Sequence, residues 1–419
     1  MRYAVLFGLL TYLFSAQSVA AVAWSMHGSL KSEAAYFLQA QSRWDKLQQQ
    51  LVLKPELQWE NWEFRSRVMA WYDVAADINP RIGADVAKYY RHHVAVKEAY
   101  LLYGADNFDL RVGQQQVVWG KTDGLRLLDV INPLDMRAFI LDDFLDSRMG
   151  LVAARVNYYP QTDMEQEIEV LWIPDARPTR AAPTGSAWAM STAGAVLPML
   201  PRHKPNFSAQ NSELGMAWRA NLSGWDMSLN YFYGWKDSPN FFLQLPPLPL
   251  QAQLKHQRMH TVGGSFASVV GSFVFRGELA INASEPLNQT TPTWSDSVVK
   301  KNTMNMALSM AYNKGNWTIS PQFFMRHISG WKNTLQAQKK TGFWSLRIAR
   351  NFMHEKLKTE MLLLASWSDG SWMSRYKIAY EINDQLALSC GADFFCGKRG
   401  LLGQFDKNDR VHSDIKYVF

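Results

Sequence analysis

The chain has 419 residues, of which 19% are charged and 13% are aromatic, and its formal net charge is +7. Charged residues make up about 25% of ordinary soluble domains, so this chain is poor in charge and rich in aromatic side chains. It has no run of five or more basic residues, which argues against nucleic acid as a partner, and no apolar stretch of about 18 residues, which excludes helical membrane spans.

The first predicted element is a signal peptide over residues 1–23. Arg2 supplies a short positive region, and a mostly apolar run of about a dozen residues follows, too short to cross a bilayer easily. Small residues come next, so cleavage after Ala21 or Ala23 fits the usual rule. The mature chain, residues 24–419, is therefore expected to be exported and to form a single domain.

Segment 120–147 interrupts a chain whose neighbouring segments alternate between apolar and polar residues. It has neither the period of two that a strand shows nor a helix cap followed by a long periodic run. Asn132 and Pro133 mark a bend, because proline fixes its own backbone and restricts the residue before it. The candidate site residues in and beside this segment are Lys121, Asp123, Arg126, Asp129, Asn132, Asp135, Arg137, Asp142, Asp143, Asp146 and Arg148.

The rest of the chain repeats one amphipathic hairpin pattern. Apolar and polar residues alternate for about ten residues, turn residues follow, and the alternation resumes. The pattern is clear around 214–235, 303–325, 372–382 and 411–419. On one face we expect Tyr231, Leu308, Met310 and Tyr380, with Ser309 on the opposite face.

This pattern predicts an all-β fold, a transmembrane antiparallel β-barrel in the outer membrane. A soluble sandwich also alternates, but here the strands are long enough to cross a bilayer when tilted and the aromatic residues concentrate at strand ends. Lipid satisfies no open sheet edge, so the last strand should pair with residues near Trp24–Lys31. The terminal Phe419 resembles the assembly signal of bacterial barrels, which predicts the barrel assembly machinery as a partner.

The connections alternate between long and short, as external loops and periplasmic turns do. Counting back from Phe419 gives about 18 strands, with roughly 16 as the alternative because the pair near Leu51–Tyr72 is weakly patterned. Segment 120–147 then follows the fifth strand as an external loop.

A barrel of this size leaves an aqueous lumen unless something fills it. We therefore predict that segment 120–147 folds into the lumen and constricts it; the alternative is a loop stabilised by its own ion pairs above the rim. Trp119 should lie where the strand meets the rim, and Gly120 should let the chain turn inward. Further inward-facing charges are predicted at Arg219, Arg326, Arg347, Arg375, Lys377 and Glu381.

The stretch VGQQQVVWGKTDGLRLLDVINPLDMRAFILDDFLDSRMG, beginning at Val112, resembles the signature of a proteobacterial outer-membrane family known as domain of unknown function 1302. The resemblance is carried by Gly113, Gln115, Trp119, Gly120, Asp123, Arg126, Asp129, Asn132, Pro133, Asp135, Asp146 and Arg148. It implies a porin-like barrel, and it implies partnership with an inner-membrane exporter for hydrophobic compounds.

No cofactor or metal is expected. The acidic residues of segment 120–147 lack the spacing of a calcium loop, so we predict that they pair with Arg126, Arg137 and Arg148 instead. Cys390 and Cys396 should be unbridged, because six residues of strand separate them by roughly 20 Å. The sequence has no serine-hydrolase, zinc-protease or phosphate-loop motif, which argues against an enzyme.

Two functions remain open. The first is a porin-like conduit for a small or hydrophobic solute, which the family resemblance would make the outer-membrane partner of an inner-membrane exporter. The second is a non-conducting structural sleeve or docking partner for a periplasmic complex.

Overall fold

The computed structural model describes residues 22–39, 43–79, 82–122, 126–190, 205–206, 208–244, 251–292 and 296–419. Its main element is a sheet of 18 strands. In chain order these are β1 (Ala23–Phe37), β2 (Trp44–Trp59), β3 (Trp62–Asp73), β4 (His92–Gly104), β5 (Phe108–Gln115), β6 (Leu151–Tyr158), β7 (Gln166–Ile173), β8 (Glu213–Leu222), β9 (Trp225–Trp235), β10 (Arg258–Val270), β11 (Phe273–Asn288), β12 (Val298–Lys314), β13 (Trp317–Ile328), β14 (Lys340–Phe352), β15 (Leu357–Ser366), β16 (Trp372–Glu381), β17 (Leu386–Cys396) and β18 (Arg410–Val418).

The sheet closes on itself, as the sequence predicted. Each strand pairs antiparallel with its neighbours in the chain, and β1 pairs with β18 in a register that begins with Ser29 opposite Val418. Beyond that ladder, the Gly28 amide donates to the Phe419 carbonyl at 2.8 Å, and the Phe419 amide donates to the Gly28 carbonyl at 3.0 Å. A Cβ on Gly28 would lie 2.5 Å from the Phe419 ring, so the closing residue needs a glycine beneath it.

The outer surface of the barrel carries the apolar residues of the alternating pattern. Tyr231, Leu308 and Tyr380 are exposed, and Met310 lies half-buried on the same face as Leu308. Ser309 is buried on the opposite face. Exposed apolar side chains on one side of a closed sheet form the surface that meets hydrocarbon, so the prediction of the lipid-facing side is confirmed.

Long and short connections alternate around the barrel. The short ones are 60–61, 105–107, 159–165, 223–224, 271–272, 315–316, 353–356 and 382–385; those on the other rim are 38–43, 74–91, 116–150, 174–212, 236–257, 289–297, 329–339, 367–371 and 397–409. Long connections face outward and short ones face the periplasm. The outer connection between β11 and β12 is confined to 289–297, because the two strands stay paired as far as Asn288 and Val298.

Other secondary structure is confined to the outer connections. Two-stranded ladders join Asp135–Met136 with Arg180–Ala181 and Asn240–Gln244 with Gln251–Lys255; the helices are Ala75–Ile78, Ala84–Ala87, Phe144–Ser147 and Gly400–Gly403, with a 3-10 turn at Ala209–Asn211. In the part of the chain that the structure describes, none of these helices has the length and hydropathy to cross a membrane.

Both cysteines lie in β17 and are unbridged, as the strand geometry predicted. The predicted signal peptide falls almost wholly outside the described residues, which begin at Val22. Strand β1 begins at Ala23. Cleavage after Ala21 would therefore leave this strand complete, whereas cleavage after Ala23 would remove its first residue.

Adjacent leucines on β15 test the assignment of the two faces. Leu362 lies opposite Arg347 and Arg375 on the inner side, whereas Leu363 lies on the lipid side. Leu363→Glu should lower the free energy of unfolding by roughly 1–2 kcal/mol, because its carboxylate must enter hydrocarbon. Leu362→Glu should cost much less, because it adds a carboxylate between two guanidinium groups. Urea unfolding in lipid vesicles measures both, and equal losses would contradict the assignment.

Candidate functional site

The connection 116–150 between β5 and β6 is divided in two by Asn132. The Asn132 side-chain oxygen accepts a hydrogen bond from the Val117 amide at 2.6 Å, and its nitrogen donates to the carbonyls of Gln115, at 3.3 Å, and Met149, at 2.9 Å. The Met149 amide donates to the Pro133 carbonyl at 2.9 Å. One fully buried amide therefore joins the end of β5 to the start of β6, where a bend was predicted.

This pinning leaves two excursions of the chain. We call the described residues 117–122 and 126–131 the first lobe and residues 134–148 the second lobe. A backbone bridge between Leu134 and Arg148 closes the second lobe at its base.

Asp129 links the two lobes electrostatically. Its Oδ2 accepts a hydrogen bond from Arg126 Nε at 2.9 Å and another from Arg148 Nη2. Arg126 also donates to the Asn132 carbonyl at 2.6 Å. Asp129 is 4% exposed and Arg148 is 1% exposed, so this ion pair is removed from water.

A second ion-pair cluster lies at the start of the second lobe. Arg137 binds Asp135 through two hydrogen bonds, of 2.9 and 2.7 Å, and Arg180 lies 3.1 Å from the same carboxylate. Burial opposes ionisation of Asp135, but the hydrogen bonds and charge of Arg137, with the charge of Arg180, outweigh it. The pKa of Asp135 is therefore below its usual range.

Wall residues from separate strands bind the second lobe. Lys46 of β2 lies 2.5 Å from Asp142, and Arg67 of β3 pairs with Asp146. The Lys97 ammonium, from β4, donates to the carbonyls of Asp146 and Arg148. From β16, the Arg375 guanidinium donates to the carbonyls of Ile140 and Leu141 at 3.3 and 3.0 Å.

The first lobe is bound chiefly by Glu278 of β11, which sequence reasoning did not identify. One Glu278 oxygen accepts from the amides of Lys121 and Thr122 at 2.5 and 2.6 Å and from the Thr122 hydroxyl at 2.9 Å. The other accepts from the Leu128 amide at 3.3 Å. Lys121 Nζ donates to the Asp226 carbonyl of β9 at 3.0 Å.

Trp119 lies inside the barrel wall and not at its rim, contrary to expectation. It is 3% exposed, and its indole nitrogen donates to Glu169 of β7 at 2.7 Å. It packs in a buried apolar cluster with Val117, Leu128, Ile131, Leu151, Ala153, Leu171, Ile173, Ala217, Phe232 and Ala280. The run Val170–Ile173 is apolar on both faces of β7, and that was the signal in the sequence that this part of the inner wall is covered.

Gly120 lies close to the wall. A Cβ at this position would lie 3.2 Å from a Glu278 oxygen, so glycine allows the close approach of the first lobe to the wall. Gly120 itself does not have a positive φ.

The second lobe ends in an aromatic cluster that joins three outer connections to the wall. Phe139 adopts a left-handed backbone, with φ of 56°. Its ring stacks on Trp188, with the centroids 6.3 Å apart, and packs at a tilt of 50° against Phe405, with the centroids 4.6 Å apart. The cluster also contains Phe37, Leu141, Leu364, Met373, Phe395 and Leu402. A non-glycine residue at positive φ is strained, and this packing opposes its relaxation.

Asp143 stands apart from these networks. Its side chain is exposed, while its carbonyl accepts from the Asp146 and Ser147 amides. The predicted site residue Asp123 lies outside the described residues. Over the described part of the chain, no group of three His, Cys, Asp or Glu side chains is arranged to hold a metal ion.

The other predicted charges lie on the inner face, and most have a partner on a neighbouring strand. Arg347 lies 2.7 Å from Glu360, Arg326 lies 2.8 Å from Glu285, and Glu381 lies 2.6 Å from Lys358. Arg219 pairs with Glu167 and Glu169, and Arg375 pairs with Asp393. Lys377 is exposed.

Comparisons with known proteins agree with this architecture. The model of a family described as "Protein of unknown function (DUF1302)" matches residues 38–385. A comparison with curated proteins finds no match.

Solved structures of outer-membrane porins share the fold. OccAB4 of Acinetobacter baumannii has a TM-score of 0.57 at 9% identity over 96% of this chain and 100% of its own. OccK8 (OprE) of Pseudomonas aeruginosa has a TM-score of 0.56 at 11% identity, over 94% of this chain and 98% of its own. OccK2 (OpdF) of Pseudomonas aeruginosa, in complex with glucuronate, has a TM-score of 0.56 at 10% identity, over 94% of this chain and 98% of its own. At these identities the likeness establishes the fold.

Asp129→Ala tests the link between the lobes. The substitution removes the carboxylate that the buried Arg148 shares with Arg126, so it should destabilise the packed segment by about 3–5 kcal/mol. Asp143→Ala is the matched control, because it removes an exposed carboxylate of the same segment. Limited proteolysis of the folded barrel measures the effect as faster cleavage within 117–148. Equal cleavage of both variants would contradict a structural role for the buried pair.

Proposed function

The chain belongs to the DUF1302 family and has the fold of outer-membrane porins, and from that premise we propose that it is a porin-like conduit whose passage is narrowed by its own segment 120–147. The observation that carries the proposal is the set of contacts between the two lobes and inner-face residues of β2, β3, β4, β7, β9, β11 and β16. These strands lie on different sides of a closed wall, and the space between them is the lumen.

The depth of the contacts supports a segment inside the barrel. Glu278 lies five residues from the periplasmic end of β11, at Phe273, and ten residues from its outer end, at Asn288. In a tilted strand ten residues correspond to roughly 25 Å along the barrel axis. Asp226, which accepts from Lys121, is the second residue of β9 from the periplasmic end. Contacts at this depth favour a segment inside the barrel over a loop above the rim.

Partly exposed charges near the lobes support a hydrated passage. Arg347 and Glu360 have side chains 37% and 40% exposed, and Lys358 and Glu381 are 46% and 45% exposed. These pairs lie on the inner faces of β14, β15 and β16. Because Arg347 and Lys358 each have a carboxylate partner there, we propose a passage for small polar solutes with weak charge preference.

A hydrophobic solute, which the family resemblance suggests through an exporter partner, is supported less well. The apolar residues of the inner wall are covered by the two lobes, so an apolar path would require the lobes to move. Because the two lobes cover so much of the inner wall, they also favour the second candidate function, a non-conducting sleeve. In either case the exposed terminal Phe419 suits recognition by the barrel assembly machinery.

Single-channel recording distinguishes the conduit from the sleeve. The purified wild type should conduct, and replacing Asp135–Asp146 by a short Gly-Ser linker should raise the conductance, because it removes the second lobe while keeping Asn132. Arg126→Ala with Arg137→Ala should increase current fluctuations by loosening the lobes. Arg177→Ala is the control, since it breaks an exposed pair with Asp175 on a neighbouring connection. A wild type and a deletion variant that both fail to conduct would favour the sleeve.

The paired inner charges also predict ion selectivity. Glu360→Gln should shift the reversal potential towards anion preference, because Arg347 loses its counter-charge beside the passage. Asp384→Asn changes the same amount of charge in a periplasmic turn and should have a smaller effect. Reversal potentials under a salt gradient measure both variants. An equal response would argue that the passage does not follow β14–β16.

A further inference from the structure

The lipid-facing surface carries a group of basic residues at one part of its outer rim. Arg258 and His260 lie at the start of β10, Lys300 near the start of β12, and Lys340 at the start of β14. Each of these strands follows a long connection, so these positions lie at the outer end of the wall. We call these four residues the outer basic belt.

Strand alternation assigns the belt to the lipid side. Lys300 has the parity of Leu308, Lys340 has that of Trp344, and Arg258 has that of Val262; the three apolar residues are 45%, 56% and 49% exposed. The extra residue that shifts the β11–β12 register lies in β11, so the alternation of β12 continues through Lys300.

The two lysines of the belt are cations that the protein leaves available. Lys300 and Lys340 are exposed, whereas His260 Nδ1 shares a hydrogen bond with the Tyr231 hydroxyl at 2.9 Å. Within the described part of the chain, neither lysine is in an ion pair with a carboxylate. The Arg258 guanidinium lies over the rings of Tyr233 and Trp235, 4.7 and 4.6 Å from their centroids, with its Nη2 donating to the backbone. Aromatic side chains of this kind mark the level of lipid headgroups.

The belt is confined to one sector. At the outer ends of other strands the lipid-facing residues include no lysine or arginine: they are Tyr36, Tyr72, His92, Trp172, Leu214, Trp372 and Val411. Neighbouring strands lie about 4.8 Å apart, so β10 and β14 are separated by roughly 19 Å along the wall. Cations spread over that width match a ligand with more than one anionic group better than a single ion.

We propose that the outer basic belt binds a phosphorylated glycolipid of the outer leaflet, with Lys300 and Lys340 contacting its phosphate groups. Lysine and arginine bind phosphate through charge-assisted hydrogen bonds, and these residues lie at headgroup level on the surface that lipid covers. The apolar residues below them on the same face, such as Trp344, then pack against the acyl chains.

A control residue of similar chemistry lies at the opposite rim. Arg350, near the periplasmic end of β14, also has lipid-facing parity and lies 4.6 Å from the Trp317 ring centroid and 4.4 Å from that of Phe352. It would contact lipid of the inner leaflet. Its removal therefore changes the charge of the lipid-facing surface without changing the belt.

Native mass spectrometry of the intact barrel in detergent tests the proposal by measuring how strongly the protein retains a lipid. Two lipids are compared: bisphosphorylated lipid A and the same lipid after removal of both phosphates. The wild type should retain the bisphosphorylated form about tenfold more strongly. Lys300→Ser with Lys340→Ser should lose most of that preference. Arg350→Ala should keep it, and so should the charge-conserving variant with Lys300→Arg and Lys340→Arg.

Each contrary result is decisive. Equal retention of the two lipids by the wild type, full retention by the double serine variant, or an equal loss in Arg350→Ala would overturn the proposal. Heat-modifiable migration checks assembly of every variant. If the serine pair does not assemble, Lys300→Gln with Lys340→Gln removes the same charges with longer side chains and takes its place.

Discussion

Hydrocarbon offers no hydrogen-bond partner to a peptide group, and the architecture of this chain follows from that constraint. Every strand of the wall has two neighbours, and the last pairing joins β18 to β1 through the backbone of Gly28 and Phe419. Closure fixes which side of each strand meets lipid. It also creates an interior whose polar residues must find partners without help from the membrane.

Several polar residues of the inner face find their partners in the two lobes of the connection 116–150. Glu278 accepts hydrogen bonds from several donors of the first lobe, while Lys46, Arg67, Lys97 and Arg375 bind carboxylates or carbonyls of the second. Removing one member of a buried ion pair costs more than the pair itself contributes, so these contacts define the position of the lobes strongly. The same wall therefore carries an outer surface suited to lipid and an inner surface suited to a particular loop.

The features that depend on a period of two were predictable from sequence. The strand count, the closing pair, the lipid-facing side and the loop after the fifth strand all follow from alternation, turn residues and the need for closure. The partners within 120–147, such as Arg137 with Asp135, were predictable from local charge. Glu278 was not, because a carboxylate on an inner face has no local sign of what it binds. Trp119 was placed wrongly because the apolar inner surface of β7 and its neighbours was overlooked.

The separation in sequence between the lobes and their anchors has a consequence for assembly. Glu278 and Arg375 lie about 150 and 235 residues beyond the backbone groups that they bind. Contacts of such long range form only after the intervening chain has been ordered. The lobes can therefore dock only once most of the wall is in place. If segment 120–147 fills the lumen as proposed, a partly built barrel is wider inside than the finished one, and the last maturation step takes place in the lumen and not in the membrane.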